Sequence, residues 1–193
     1  MKLGDKDINK VYLGSTEFKK AYLGSNVILD NTASFNPYKF YRLQSVDGDG
    51  TENTERVFVS NWRLYTELNQ VGTEYPTTNL TSNTSEVGVT VSAGYIQGTN
   101  YDAWKAFNGV YGSNGWWTLS ISNADENWIQ LEFDTDKTFK SATITFRTAL
   151  TFSESVKLMG SDTGVFGGEE TFIKQINNIN TGNSDNVINF NFN

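Results

Sequence analysis

The sequence predicts an all-β protein, with a small amino-terminal hairpin module followed by an antiparallel sandwich or barrel. Two observations carry this prediction. The chain begins with a ten-residue repeat that places a Leu-Gly pair at positions 3, 13 and 23. Beyond the repeat, short β-rich runs are separated by Gly, Asn, Ser and Thr, and no stretch shows a long apolar stripe with helical period.

The amino-terminal repeat defines a first module, residues 1–30. Lys10 and Tyr12 recur ten positions later as Lys20 and Tyr22, in phase with the Leu-Gly pairs. Gly supplies the backbone freedom that a tight turn needs, so the period indicates stacked hairpins, with two or three short strands in total. A module of this size rarely has a core of its own. We therefore expect residues 1–30 to attach the chain to something larger.

A second domain is predicted at residues 38–193, after a polar linker at 31–37 that ends in a proline. Its apolar residues alternate as in half-buried strands, for example at Ile129, Leu131 and Phe133. The predicted elements are strands at 39–46, 55–68, 87–93, 128–133, 142–148, 156–160 and 187–192, and one or two helical turns at 101–107.

The composition supports a globular fold and argues against an enzyme. Of the 193 residues, 37% are hydrophobic and 14% are aromatic, which suffices for a core. Cys and His are absent, so thiol chemistry is impossible and the commonest general base and zinc ligand is missing. Glycoside hydrolysis needs two carboxylates that face one bond. Three close pairs of acids are instead predicted to lie in solvated turns: Asp125 and Glu126, Asp134 and Asp136, and Glu169 and Glu170.

The net charge of −7 lies in the second domain. Residues 1–30 hold five of the 15 basic and four of the 22 acidic side chains, so the remainder carries ten basic and eighteen acidic ones. Such a domain repels phosphate backbones, which makes nucleic acid an unsuitable partner. The chain starts with charged residues and has no apolar run near the ~20 residues that span a bilayer, so we expect no signal peptide and no membrane insertion.

Five segments of the second domain stand in the order and spacing of a known family. They read AWKAFNG at 103–109, GWWT at 115–118, NWIQLEFD at 127–134, ATITFR at 142–147 and VKLMGSDTG at 156–164. Together they resemble the discoidin family, also called F5/8 type C, which includes many carbohydrate-binding modules. The resemblance covers residues 38–193 and implies an eight-stranded antiparallel jelly roll.

Other segments resemble parts of tailed-bacteriophage proteins. YKFYRL at 38–43 and VSNWRLY at 59–65 are similar to the leading strands of discoidin-like domains on phage tail proteins. KVYLGS at 10–15 and KAYLGS at 20–25 are similar to short repeats that open many phage structural proteins. This resemblance implies a virion protein that is made in the host cytoplasm, present as a homo-oligomer or in many copies, and attached to other virion proteins through residues 1–30.

The discoidin resemblance raises the question of a structural calcium ion. Family members usually carry Asp before the Gly of the first motif, often beside calcium, whereas this chain has Asn108 and Gly109. Calcium prefers several oxygen ligands, with carboxylates among them. Asn108 and Gly109 therefore remain candidates for a calcium loop built on carbonyl oxygens, and we expect no other cofactor.

The tryptophans are candidates for sugar platforms and for core residues. Flat rings pack on the C–H face of a sugar, but they also fill cores. Trp62 and Trp128 lie in predicted strands and are expected in the core. Trp116 and Trp117 would point to opposite faces of an extended segment, and the sequence leaves open which of the two is exposed. The candidate ligand-binding residues are Tyr95, Tyr101, Trp104, Tyr111, Asn114 and Trp116.

These patterns predict a non-enzymatic virion protein, in a tail, fibre or capsid decoration, whose jelly roll binds a glycan on the bacterial surface. Many weak contacts on one particle would add up to avidity. The alternative is a purely structural role in virion assembly, without glycan binding. An exposed aromatic residue beside polar groups would favour adhesion, and a large apolar patch on a sheet face would favour assembly. A free-standing bacterial carbohydrate module is a third possibility, disfavoured by the expected absence of a signal peptide and of a catalytic partner.

Overall fold

The chain forms two compact units, Met1–Ser34 and Phe35–Asn193. The structure is a computed structural model that describes residues 2–3, 6–7, 11–13, 16–18, 20–23, 26–30, 35–112, 114–118, 124–147, 151, 153–179 and 185–192. Side chains are described from residue 35 onward, with that of Trp117 left out. The boundary between the units falls inside the segment 31–37 that the sequence predicts as a linker.

The amino-terminal unit consists of three two-stranded antiparallel hairpins. Their strands are β1 (Lys2–Leu3), β2 (Lys6–Asp7), β3 (Val11–Leu13), β4 (Thr16–Phe18), β5 (Lys20–Leu23) and β6 (Asn26–Asp30). The leucine of each Leu-Gly pair is the last residue of the first strand in its hairpin. The ten-residue period is therefore one hairpin per repeat. The expected number of two or three strands is wrong, because each repeat holds two strands rather than one.

The larger unit contains two antiparallel sheets. Its strands are β7 (Tyr38–Val46), β8 (Phe58–Tyr65), β9 (Glu74–Tyr75), β10 (Val89–Ala93), β11 (Trp116–Trp117), β12 (Trp128–Lys137), β13 (Ser141–Arg147), β14 (Ser155–Ser161), β15 (Thr171–Asn177) and β16 (Asp185–Asn191). The first sheet has the order β10-β12-β7-β14-β15, and the second has the order β11-β8-β13-β16, with β9 paired to the end of β8. The predicted all-β fold with an antiparallel sandwich is confirmed, and the jelly-roll connectivity stays a prediction.

All seven strands predicted in this unit are present, whereas β9, β11 and β15 were not predicted. Strand β15 lacks strict alternation of buried and exposed residues because its pairing with β14 shifts register between Leu158 and Met159. The irregularity leaves Phe172 exposed and Ile176 buried. The helical turns expected at 101–107 are two 3-10 helices, Thr99–Tyr101 and Ala103–Phe107.

The core lies between the sheets and is rich in aromatic rings. Tyr41, Phe133 and Phe139 are at most 1% exposed, and their ring centroids lie 5.0 to 6.1 Å apart. Such aromatic pairs contribute about 0.5–1.5 kcal/mol each beyond the area that they bury. Trp62 on β8 is fully buried in the same core, as the sequence predicts.

Trp128 departs from its predicted place in the core. The next residue on β12, Ile129, faces the core, so the alternation of the strand turns Trp128 to the outer face of the first sheet. There it is half-buried rather than buried. The prediction that Trp128 belongs to the core is wrong.

The 3-10 helix Ala103–Phe107 covers the edge of β8 between β9 and β11. The Phe107 ring lies 5.4 Å from that of Trp62, and the Leu80 amide donates to the Phe107 carbonyl at 3.1 Å. Asp102 accepts a hydrogen bond from the Ala103 amide at the start of the helix, at 2.7 Å. In the part of the chain that the structure describes, no helix has the length and apolarity needed to cross a membrane.

Candidate functional site

The predicted ligand residues all lie in the connection between β10 and β12, where the structure brings Tyr95 and Trp116 together. The Trp116 indole Nε1–H donates to the Tyr95 carbonyl oxygen at 2.9 Å. Trp116 pairs with Val59 on the edge of the second sheet and is 1% exposed. The prediction that Trp116 faces a ligand is wrong, because it shares the inward direction of the buried Val59 and its indole N–H is satisfied inside the protein. The side chain of Trp117 lies outside the described residues.

Tyr101 and Trp104 fasten this connection to the sandwich. The Tyr101 ring meets that of Phe58 edge-on, with centroids 6.2 Å apart. The Trp104 amide donates to Asn83 Oδ1 at 3.0 Å, and the Lys105 ammonium lies 5.4 Å from the centre of the Trp104 ring. Both aromatic residues are half-buried. They therefore act in packing, with part of each ring still accessible.

Tyr111 is the predicted site residue with the most exposed side chain, at 58%. It stands beside Val110, which is 47% exposed, and Ile96 in the same connection is 39% exposed. Tyr95 and Asn114 are half-buried. Of the six predicted residues, Tyr111 is the exposed one, Trp116 is buried, and the other four are half-buried.

The oxygen atoms around Asn108 and Gly109 do not fit a calcium site. The Asn108 side-chain oxygen accepts from the Val110 amide at 2.8 Å, so it is already engaged within the turn. The Phe107 carbonyl and Asn79 Oδ1 accept from the Arg63 guanidinium at 3.0 and 2.7 Å. In the described part of the chain, no three acidic side chains converge as metal ligands would. We expect calcium loops to leave such oxygens free, and here a guanidinium cation takes them.

Arg63 is buried on the outer side of β8, where oxygens surround it. In addition to Phe107 and Asn79, Glu74 accepts from Arg63 Nε at 2.9 Å. Burial lowers the pKa of the Arg63 guanidinium, and the neighbouring Glu74 carboxylate opposes that change. The three partners belong to three different stretches of the chain, so Arg63 fixes their positions relative to β8. Sequence reasoning missed this residue, since nothing near Arg63 in the sequence indicates its partners.

Arg42 has the corresponding place on the outer side of the first sheet. Its guanidinium lies 3.9 Å from the Trp128 ring centre and 3.8 Å from the Phe166 ring centre. Nε and Nη2 both donate to Gln130 Oε1, at 3.1 and 2.9 Å. Burial lowers the pKa of Arg42 to about 10, so the side chain is still charged at neutral pH. The connection between β14 and β15 is held on the sheet by this contact with Phe166.

A cavity of about 400 Å³ opens between β9, the start of β10 and the end of β12. Its lining residues are Tyr75, Thr77, Glu86, Val87, Gly88, Val89, Phe133, Asp134, Thr135 and Lys137. The prediction that Asp134 and Asp136 lie in a turn is wrong, because both belong to the long strand β12, although both are exposed to solvent as expected. Pairing of Val89 with Phe133 brings these distant segments together, and no local pattern reveals that pairing.

Comparisons of this chain with protein-family models, with curated proteins and with solved structures gave no match. The sites above therefore rest on their own geometry.

Proposed function

We propose that this chain is a non-enzymatic bacteriophage virion protein whose larger domain binds glycans on the bacterial surface. The observation that carries the proposal is the exposed ring of Tyr111, on a connection that the sandwich holds in place. Glycan modules use such rings because the C–H face of a sugar packs on them. The half-buried Trp104 and Asn114 in the same connection add a second partly accessible ring and a polar side chain.

The fastening of this connection supports a binding role. Asn83 Nδ2 donates to Asp102 Oδ1 at 3.0 Å, and Asn83 Oδ1 accepts from the Trp104 amide, so one side chain clamps both sides of the turn. The hydrogen bond from Arg63 Nη1 to the Phe107 carbonyl holds the end of the following 3-10 helix. A site that is pre-organised in this way loses less conformational entropy when a ligand binds.

The role proposed for the amino-terminal unit is attachment to other virion proteins. Each of its three hairpins is only two strands wide. A two-stranded hairpin alone is marginally stable in water, and packing against a partner or pairing with its strands stabilises it. Attachment of many copies to one particle, assembled in the host cytoplasm, would convert weak glycan contacts into avidity.

A purely structural role in virion assembly is the second candidate, and the edge strands favour it. Strands β15 and β16 are the last strands of the two sheets, and each exposes a large apolar side chain. Phe172 on β15 is 60% exposed, and Val187 on β16 is 55% exposed. Exposed apolar edges can pair with a neighbouring subunit.

A glycan array separates the two candidates. The full chain is applied to an array of bacterial surface glycans, beside Tyr111→Ala and the control Phe172→Ala, which removes an equally exposed ring elsewhere. We expect binding by the wild type and by Phe172→Ala, and a roughly tenfold weaker signal for Tyr111→Ala, as for the loss of an aromatic anchor. Silence of the folded wild type would reject glycan binding and favour the structural role, whereas equal binding by both variants would reject Tyr111 as the platform and place glycan binding elsewhere on the chain.

A further inference from the structure

The cavity between β9, β10 and β12 lies at the end of the sandwich where β7 begins, since Lys137 pairs with Tyr38. It is separate from the Tyr111 connection that the proposed function uses. Its volume of about 400 Å³ is within the range of small-ligand pockets. We propose that this cavity binds a neutral saccharide.

The inner wall of the cavity is apolar and rigid. Phe133 and Val89 are buried, and they pair with each other across β12 and β10. The Tyr75 ring packs edge-on against Phe133 and Phe139, with centroids 5.8 and 5.4 Å apart. Phe133 is 0% and Val89 4% exposed, so these two residues back the wall, and the half-buried Tyr75 ring is the surface on which the C–H face of a sugar can pack. Val87, whose side chain is 99% exposed, extends the apolar surface to the rim.

The rim supplies one acceptor group and one donor group. The Asp134 carboxylate is exposed, and the Lys137 ammonium lies 5.5 Å from the centre of the Tyr75 ring. Among the residues that the structure describes, no hydrogen bond or ion pair engages the carboxylate of Asp134 or the ammonium of Lys137. Sugar hydroxyls both donate and accept, so one ligand can satisfy both groups, whereas a purely apolar ligand would leave them unpaired.

The remaining wall is held in place before any ligand arrives. The Glu86 carboxylate accepts from the amides of Thr77 and Thr78 at 3.0 and 2.8 Å. Burial opposes ionisation of Glu86, but these hydrogen bonds outweigh it and keep its pKa below the usual value. Gly88, which borders the Asp134 carboxylate, has a φ of 77°, a left-handed conformation that glycine adopts without strain.

The charges of the lining select the class of ligand. Glu86 and Asp134 are acidic and Lys137 is basic, so the lining has an excess of negative charge. An anionic sugar would meet two carboxylates, and Glu86 is already satisfied by Thr77 and Thr78. A neutral sugar avoids that repulsion and uses both Asp134 and Lys137 for its hydroxyls.

Amide chemical shifts of the ¹⁵N-labelled full chain test the proposal. Glucose, galactose and N-acetylglucosamine are titrated separately, with glucuronate as the anionic control. We expect at least one neutral sugar to shift the amides of Gly88, Asp134 and Lys137 in a saturable way, and glucuronate to bind more weakly. Asp134→Leu and Lys137→Met should each weaken binding roughly tenfold, as expected for the loss of a hydrogen bond to a charged group.

Lys39→Met is the matched control, because Lys39 is a surface lysine that pairs with Glu132 at 3.6 Å outside the cavity. It should leave the titration unchanged. The proposal is overturned if none of the three neutral sugars shifts these amides, or if Asp134→Leu and Lys137→Met bind as the wild type does. Tyr111→Ala should not affect this titration, so failure of the glycan array and failure of the cavity are separate results.

Discussion

Arg63 and Arg42 lie on the outer faces of the two sheets, and each guanidinium is shielded from solvent by different groups. Arg63 on β8 is 4% exposed and is surrounded by oxygens of Glu74, Asn79 and Phe107. Arg42 on β7 is half-buried, and its flat guanidinium lies between two aromatic rings. One arginine is satisfied mainly by hydrogen bonds, and the other mainly by stacking.

The difference decides what remains when each side chain is lost. Without Arg63, the carbonyl of the buried Phe107 loses the donor that the guanidinium supplies, whereas Asn79 Oδ1, on an exposed residue, can turn to water. A buried polar group without its partner is costly. Without Arg42, Oε1 of the buried Gln130 loses the two hydrogen bonds that the guanidinium donates, but the apolar rings of Trp128 and Phe166 can approach each other across the space that it leaves. Arg63 should therefore contribute more to stability than Arg42.

The largest effect is expected for Arg63→Met. The substitution removes three contacts, among them the charged donor to the carbonyl of the buried Phe107, so we expect a loss of about 2–3 kcal/mol in the free energy of unfolding. Urea unfolding followed by tryptophan fluorescence measures it, with Arg42→Met as the matched variant. If Arg63→Met lost less free energy of unfolding than Arg42→Met, Arg63 would not be the more important of the two for stability.

Arg42→Met should cost less, about 1–2 kcal/mol. The expected loss comprises the two cation–π contacts and the two hydrogen bonds to Gln130 Oε1, partly offset by contact between the two freed rings. Arg42→Lys sharpens the test, since it keeps the charge but lacks a flat group to stack between the rings. In the same urea experiment, the free energy of unfolding of Arg42→Lys should lie at least as near to that of Arg42→Met as to that of the wild type. Full recovery of wild-type stability by lysine would mean that the charge, rather than stacking, matters.

A smaller effect is expected for Glu74→Gln. The Glu74 side chain is 47% exposed, so its ion pair with Arg63 should contribute less than about 1 kcal/mol. The amide can still accept a hydrogen bond from Arg63 Nε. Unfolding at low and high salt checks the prediction: the difference between wild type and Glu74→Gln should shrink as salt rises. A difference as large as that of Arg63→Met would show that the ion pair outweighs the Phe107 and Asn79 contacts.

The smallest effect is expected for calcium. Because Arg63 uses the oxygens of Phe107 and Asn79, millimolar calcium should not raise the melting temperature relative to EDTA. A bound ion at 100 times its dissociation constant would stabilise the native state by about 2.7 kcal/mol, which calorimetry detects easily. A rise of several degrees in the wild type would show that calcium binds despite Arg63.

Much of the fold follows from local sequence. The alternation of Ile129, Leu131 and Phe133 predicts both the existence of β12 and its buried face, and the other six strands are predicted from short β-rich runs separated by Gly, Asn, Ser and Thr. The Leu-Gly period likewise predicts the hairpins of the amino-terminal unit. These patterns suffice because strand periodicity and turn chemistry depend on residues that are neighbours in the chain.

The candidate sites depend on tertiary structure. Whether Trp116 or its neighbour faces inward is decided by the pairing of β11 with β8, and Trp128 leaves the core because of the way β12 is turned. The Arg63 cluster joins residues from 63 to 107, and the cavity joins residues from 75 to 137.

The sequence by itself determined the all-β class, the separate hairpin module and most strands, because those features arise from local periodicity. Tertiary structure alone decided which aromatic ring is exposed, which arginine takes the oxygens of the loop considered for calcium, and where a cavity opens. Each of these depends on which distant strands pair and in which register. A shift of one residue in that register would exchange the buried and exposed faces of a strand.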